Sequence, residues 1–208
     1  MKLYHYQPFR SCRCLWLITE LQALSDIQVI YLDPLSKDKD LVTSYKSKTH
    51  PHGTVPALEI EGQDTILESG AICLYLAELY ERCLPESGHR KNYYNWILYA
   101  TSTLDSVLEL LFEQWYHTPE GDKDNEKINA AIEKFNVFAA YFSKFMKRRD
   151  YVCGGRFTAA DCVLGYDIWW ASQMRDGVLL AGFPVVKTYL DKLRQRYPFQ
   201  RTFSNVSV

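Results

Sequence analysis

The chain predicts two domains of different class: an α/β domain of order βαβαββα, then an all-helical domain. Three observations carry that prediction. Strand-like segments at residues 2–6 and 27–32 bracket a stretch, Cys12 to Leu24, in which Leu15, Ile18, Leu21 and Leu24 recur at helical spacing. A strand-helix-strand of that length closes as a parallel βαβ unit. Pro56 then stands at the mouth of a short apolar run, where it can only enter or edge a sheet because it lacks the ladder N–H. Beyond a polar segment at 81–91, which holds Pro85 and Gly88, apolar residues recur with helical period alone.

Each element follows in order. The Lys-rich, polar segment 36–49 predicts a second helix at the edge of the sheet. Val55-Pro56 predicts a turn with a cis bond, followed by strands at 57–60 and 65–67 joined by Gly62-Gln63-Asp64. Glu68-Ser69 closes this hairpin, and Ser69 is a suitable N-cap for a helix over 69–80. With a Pro before the third strand, this is the thioredoxin-type arrangement. The boundaries that follow are 1–80 for the α/β domain, 81–91 for the linker and 92–208 for the helical domain. In the latter, Asn92 to Tyr116 is a long helix, ended by the charged break from Thr118. Ile128, Ile132, Phe135, Phe138, Phe142 and Phe145 form one apolar stripe, which reads as core. Thr158 and Asp161 stand at the spacing of a capping box, with Asp in place of the usual Glu or Gln. Phe183-Pro184 starts the last amphipathic helix, with Val186, Tyr189, Leu190 and Leu193 inward.

Composition narrows the partners. Of 208 residues 47% are apolar, ample for a buried core, and 24 Lys and Arg nearly balance 25 Asp and Glu. No net field draws such a chain to nucleic acid or to an anionic membrane. No apolar run approaches the roughly twenty residues of a transmembrane helix, and the chain begins on a strand pattern, so a soluble cytoplasmic protein is expected. The six cysteines include no pair of clusters at metal-ligand spacing, and no metal is expected.

The run from His50 to Ile72 carries the chemistry. A rigid turn at Val55-Pro56 leaves the Val55 N–H and C=O free to pair with something peptide-like, and the helix start at Glu68-Ser69 is a ready carboxylate site. A small acidic peptide suits both. This turn, with the Glu-Ser-Gly-Ala-Ile helix start and the later G-G-R-F-T-A-A-D box, resembles the cytosolic glutathione transferases over essentially the whole chain. The similarity extends to their zeta-like, theta-like, bacterial and fungal members. It implies reduced glutathione as co-substrate, conjugation to small hydrophobic electrophiles, a detoxification role and a homodimer. It also implies that Val55 and Pro56 pair with the cysteinyl backbone and that Glu68 and Ser69 hold the γ-glutamyl end. Where members often carry a Lys for the glycyl carboxylate this chain has Thr54, so that His52 or His50 is expected to supply the charge.

A transferase of this kind must lower a thiol pKa from about 8.5 toward neutrality, because the thiolate is the nucleophile. One hydroxyl donor is worth about 1.5–3 kcal/mol, or one to two pKa units. The donor belongs at the start of the first helix, where Ser11 is the first candidate, on the likeness of F-R-S-C to a zeta-like stretch. Cys12 is the rival and would make the protein a glutathione-dependent thiol reductase; Tyr6 is the third candidate. Arg10 and Arg13 are expected to be solvated. The resemblance places the electrophile against the first long helix, where Tyr99, Thr103 and Phe112 are the candidates, and gives Ser102 and Asp105 as contacts across a dimer. A non-catalytic scaffold of the same fold is the alternative of another class.

Overall fold

A computed structural model describes residues 1–204, which divide into two compact units. The first is Met1–Leu84 together with residues 196–204; the second is Pro85–Gln195.

In the first unit the elements are β1 (Lys2–His5), α1 (Ser11–Leu21), β2 (Gln28–Tyr31), α2 (Lys39–Lys48), β3 (Ala57–Glu59), β4 (Ile66–Leu67) and α3 (Ser69–Leu79). The predicted βαβαββα order holds. Strand order is β2-β1-β3-β4, with β1 parallel to β2 and antiparallel to β3. α1 buries nearly every side chain, Trp16, Leu17 and Ile18 among them, and packs against α3. α2 is capped by Asp38, whose carboxylate accepts from the Asp40 and Leu41 amides, and it buries only Tyr45. One element was not foreseen. Past the helix predicted to be the last, a further helix, α9 (Tyr197–Phe203), packs on α1, with Phe199 and Phe203 edge-on to Trp16 and Arg196 paired with Glu20 at 2.6 Å.

The second unit is helical throughout, apart from a bridge between Tyr151 and Gly154. The predicted first long helix is continuous from Arg90 to His117 but not uniform. α4 (Arg90–Leu98) and α5 (Asp105–Phe112) are each followed by a π-helical segment, Tyr99–Leu104 and Glu113–His117. α6 (Asn125–Phe145) carries the predicted stripe, with Ile128, Phe135, Phe138 and Phe142 buried and Phe142 edge-on to Trp96. α7 (Ala159–Gln173) is buried almost throughout, and α8 (Pro184–Arg194) buries Val186, Tyr189, Leu190 and Leu193 as expected. The capping box forms: the Thr158 amide donates to Asp161 Oδ2 at 2.8 Å. Asp161 also accepts from the Val152 amide at 3.0 Å and from the Tyr189 hydroxyl at 2.8 Å, so one buried carboxylate ties a loop and α8 to the start of α7. Among the described residues no helix is long and apolar enough to cross a membrane, and no group of His, Cys, Asp and Glu could hold a metal.

Candidate functional site

The hairpin register builds the site. Ala57 pairs with Leu67 in antiparallel β3 and β4, so one step back along β3 meets one step forward along β4. Val55-Pro56, just before β3, and Glu68-Ser69, just after β4, therefore lie at the same end of the hairpin. The Val55–Pro56 bond is cis, as the sequence predicts. Val55 is buried in a cluster with Leu32, Tyr45 and Ala57, against which Tyr6 and Phe9 also pack. Its backbone lies outside the paired part of β3.

Glu68 itself is strained and exposed: its φ of 67° is one that a residue with a side chain seldom adopts. It is the cap residue of α3, which corrects the assignment of that role to Ser69; Ser69 is the first helical residue. No side chain caps this helix and its first turn carries no acidic residue, so its first amides and the positive end of its dipole are open to an anion. Ser69 is buried, and its Oγ accepts from Arg13 Nη1 at 3.0 Å. Arg13 is therefore no solvated side chain; it is fully buried. The available signal was its position between Cys12 and Cys14 in a helix that is otherwise apolar on almost every face.

Preceding Val55, the turn from His50 to Gly53 is closed by the Gly53 amide on the His50 carbonyl at 2.8 Å, with Pro51 at its second position. His50 is buried while His52 and Thr54 are exposed. The Tyr45 hydroxyl donates to the Thr54 carbonyl at 2.8 Å, and Thr54 Oγ1 lies 3.1 Å from His50 Nε2. Burial, then the neighbouring His52, holds the His50 pKa below its usual range, against the pull of Glu68. The charge expected there from His50 is thus disfavoured.

Ser11 is fully buried at the first position of α1. Its Oγ accepts from the Tyr6 amide at 3.1 Å, donates to the Tyr6 carbonyl at 3.0 Å, and lies 2.9 Å from His5 Nδ1. A hydroxyl has one proton and two lone pairs, so with His5 Nδ1–H donating these three contacts use all of them. The expectation that Ser11 gives a proton to a substrate thiol meets no free proton there. Cys12 is also fully buried, and burial pushes its thiol far above its ordinary pKa. Desolvation thus works against the expected low-pKa thiolate and opposes the helix terminus. Tyr6 keeps a half-exposed ring, packed against Phe9 and Tyr31, with its phenol raised by burial and by Asp33.

The candidates for the second substrate lie in the other unit. Tyr99 opens the first π-helical segment and packs on Trp96 and Phe138; Thr103 is exposed four residues on. Phe112 ends α5 against Tyr116, His117 and Trp170. Asp105 is buried and Ser102 is exposed.

Residues 10–79 match the model of the glutathione S-transferase N-terminal domain, and residues 103–196 that of the glutathione S-transferase C-terminal domain. The chain is 27% identical over 208 residues to glutathione S-transferase GstA of Escherichia coli O157:H7, covering 98% of each. Its fold is similar to that in the ternary complex of BphK, a bacterial enzyme of this kind, with a TM-score of 0.82 at 20% identity and 98% of each chain covered. It is also similar to a sphingomonad glutathione S-transferase complexed with glutathione, with a TM-score of 0.80 at 23% identity, again over 98% of each. With matches to both halves of one family, spanning together well over half of its length, the chain belongs to the glutathione S-transferases, a family of enzymes.

Proposed function

We propose that the protein binds reduced glutathione and transfers its sulfur to small hydrophobic electrophiles. The observation that carries this reading is the Val55 backbone, outside the paired part of β3 at a cis turn, at the same end of the hairpin as the strained Glu68 and the uncapped start of α3. Strain of this kind persists where the surroundings enforce it, and the Glu68 side chain is exposed. Glutathione is a tripeptide with an ammonium and a carboxylate on its γ-glutamyl end. Glu68 takes the ammonium, and the first amides of α3 with the Ser69 hydroxyl take the carboxylate. Arg13 fixes that hydroxyl and adds buried positive charge. The cysteinyl amide pairs with the Val55 N–H and C=O, and the glycyl carboxylate reaches Thr54 and His52.

This pose sets the thiol toward the start of α1, whose dipole favours a thiolate. The hydroxyl donor is Tyr6. Its half-exposed phenol, raised by burial and by its hydrogen bond to Asp33, exchanges that carboxylate for the thiolate when the peptide binds, whereas Ser11 holds the loop that presents it. Burial of Cys12 leaves the thiol-disulfide alternative without a nucleophile. The second substrate is a small hydrophobic electrophile, and the protein assembles as a homodimer.

Glu68→Ala removes the ammonium partner without touching a buried group. It should abolish retention on immobilised glutathione and leave the melting temperature nearly unchanged. Full retention by this variant would overturn the assignment.

A further inference from the structure

We propose that His50 is a positioning residue that holds the Thr54 hydroxyl so as to present its proton to the terminal carboxylate of the bound peptide. This rests on the glutathione reading given above.

The tautomer of His50 follows from its two contacts. The His52 amide lies 3.3 Å from His50 Nδ1, and an amide can only donate, so Nδ1 accepts. A neutral imidazole with an accepting Nδ1 carries its proton on Nε2, which therefore donates to Thr54 Oγ1 at 3.1 Å. That occupies a lone pair of the hydroxyl and bars it from giving its own proton back to the ring. The proton must point elsewhere. Thr54 is exposed, its carbonyl is pinned by Tyr45, and it directly precedes Val55, whose backbone faces the ligand. The turn closed by Gly53 on His50 fixes the ring's origin, and burial keeps it neutral. A relay thus runs from the His52 amide through the imidazole to an outward hydroxyl, and it supplies a neutral donor where the sequence has no Lys.

Two substitutions divide the relay. His50→Gln places an amide N–H near the position of Nε2 and keeps the donation to Thr54; His50→Asn is too short and loses it. Calorimetric titration uses glutathione and its analogue with the glycyl carboxylate amidated. Wild type should prefer glutathione. Thr54→Val and His50→Asn should each weaken glutathione roughly ten-fold, the value of a hydrogen bond to a charged group, while binding the amide as wild type does. His50→Gln should keep the preference, and the double variant carrying both His50→Asn and Thr54→Val should be no weaker than Thr54→Val alone. Equal weakening of both ligands by His50→Asn, or an unchanged preference in Thr54→Val, would overturn the inference. Thr54→Val alters only an exposed side chain and stays informative if the His50 variants fold poorly. Wild type binding neither ligand would instead remove the glutathione reading, and the inference with it.

Discussion

A hydroxyl that stabilises a thiolate must be able to turn its proton toward the ligand, and that requirement separates the half-exposed Tyr6, whose proton goes to Asp33, from Ser11, whose proton is committed in the interior. Tyr6→Phe should raise the pH midpoint for conjugation of a model aryl halide by about one to two units, the worth of one lost donor. Ser11→Ala should chiefly lower stability, because it unties Tyr6 and His5, and Cys12→Ala should leave the midpoint where it is; a midpoint that moves with Ser11 and not with Tyr6 would reverse the assignment. His5 makes a second prediction. Burial depresses its pKa from 6.5 to about 4, so the folded state resists protonating it. The stability it contributes is fully present above pH 6.5 and is lost as pH falls toward 4. Between pH 7 and pH 5 this amounts to about 2 kcal/mol. Because the buried Asp161 carboxyl, raised to about 6, gains stability over the same interval, the test is the comparison: urea melts at the two values should show wild type changing by about 2 kcal/mol more in the destabilising direction than His5→Gln, and equal changes would mean that His5 is not the titrating group. The turn at Val55-Pro56 and the helix start after Glu68 were legible in the sequence because a proline before a strand and a hairpin ending in a helix start have few geometries open to them. Ser11, Cys12 and Arg13 were not, because residue type names a chemistry but not the side of a helix on which neighbours will cover it.

At the scale of elements, the buried Asp161 carboxylate joins more than the cap it was expected to complete. Thr158→Ala should cost about 1 kcal/mol, the usual value of a lost cap. Asp161→Ala should cost about 3 kcal/mol or more, since it strands the Val152 amide, the Thr158 amide and the Tyr189 hydroxyl in the interior. Equal losses in chemical denaturation would show that the additional bonds contribute nothing. The helices over Asn125–Phe145 and Pro184–Arg194 were readable because long apolar stripes repeat the same periodicity many times. Two features escaped. The π-helical turns at Tyr99–Leu104 and Glu113–His117 change only which carbonyl each amide meets, and no residue type signals that. Pro198, so soon after α8, suggests a terminator, yet a proline is equally at home in the first turn of a helix and here opens α9.

For the molecule as a whole, the homodimer reading predicts a sedimentation mass near twice the 24.3 kDa of the chain at micromolar concentration, and the monomer mass would contradict it. The division into an α/β unit and a helical unit was visible from the change of periodicity alone. That the first unit also includes α9 was not, since nothing local in Tyr197–Phe203 identifies Trp16 as its neighbour. This return has a consequence for synthesis. Emerging from the ribosome, residues 1–84 are complete in sequence long before they are complete in structure, because the face of α1 that receives Phe199, Phe203 and Arg196 waits through more than a hundred further residues. At a typical elongation rate of about 5–20 residues per second that is an interval of several seconds or more, in which Trp16 has no cover from its own chain. The half that is made first is the half finished last, and a chaperone or a stalled ribosome would meet it with that groove still open.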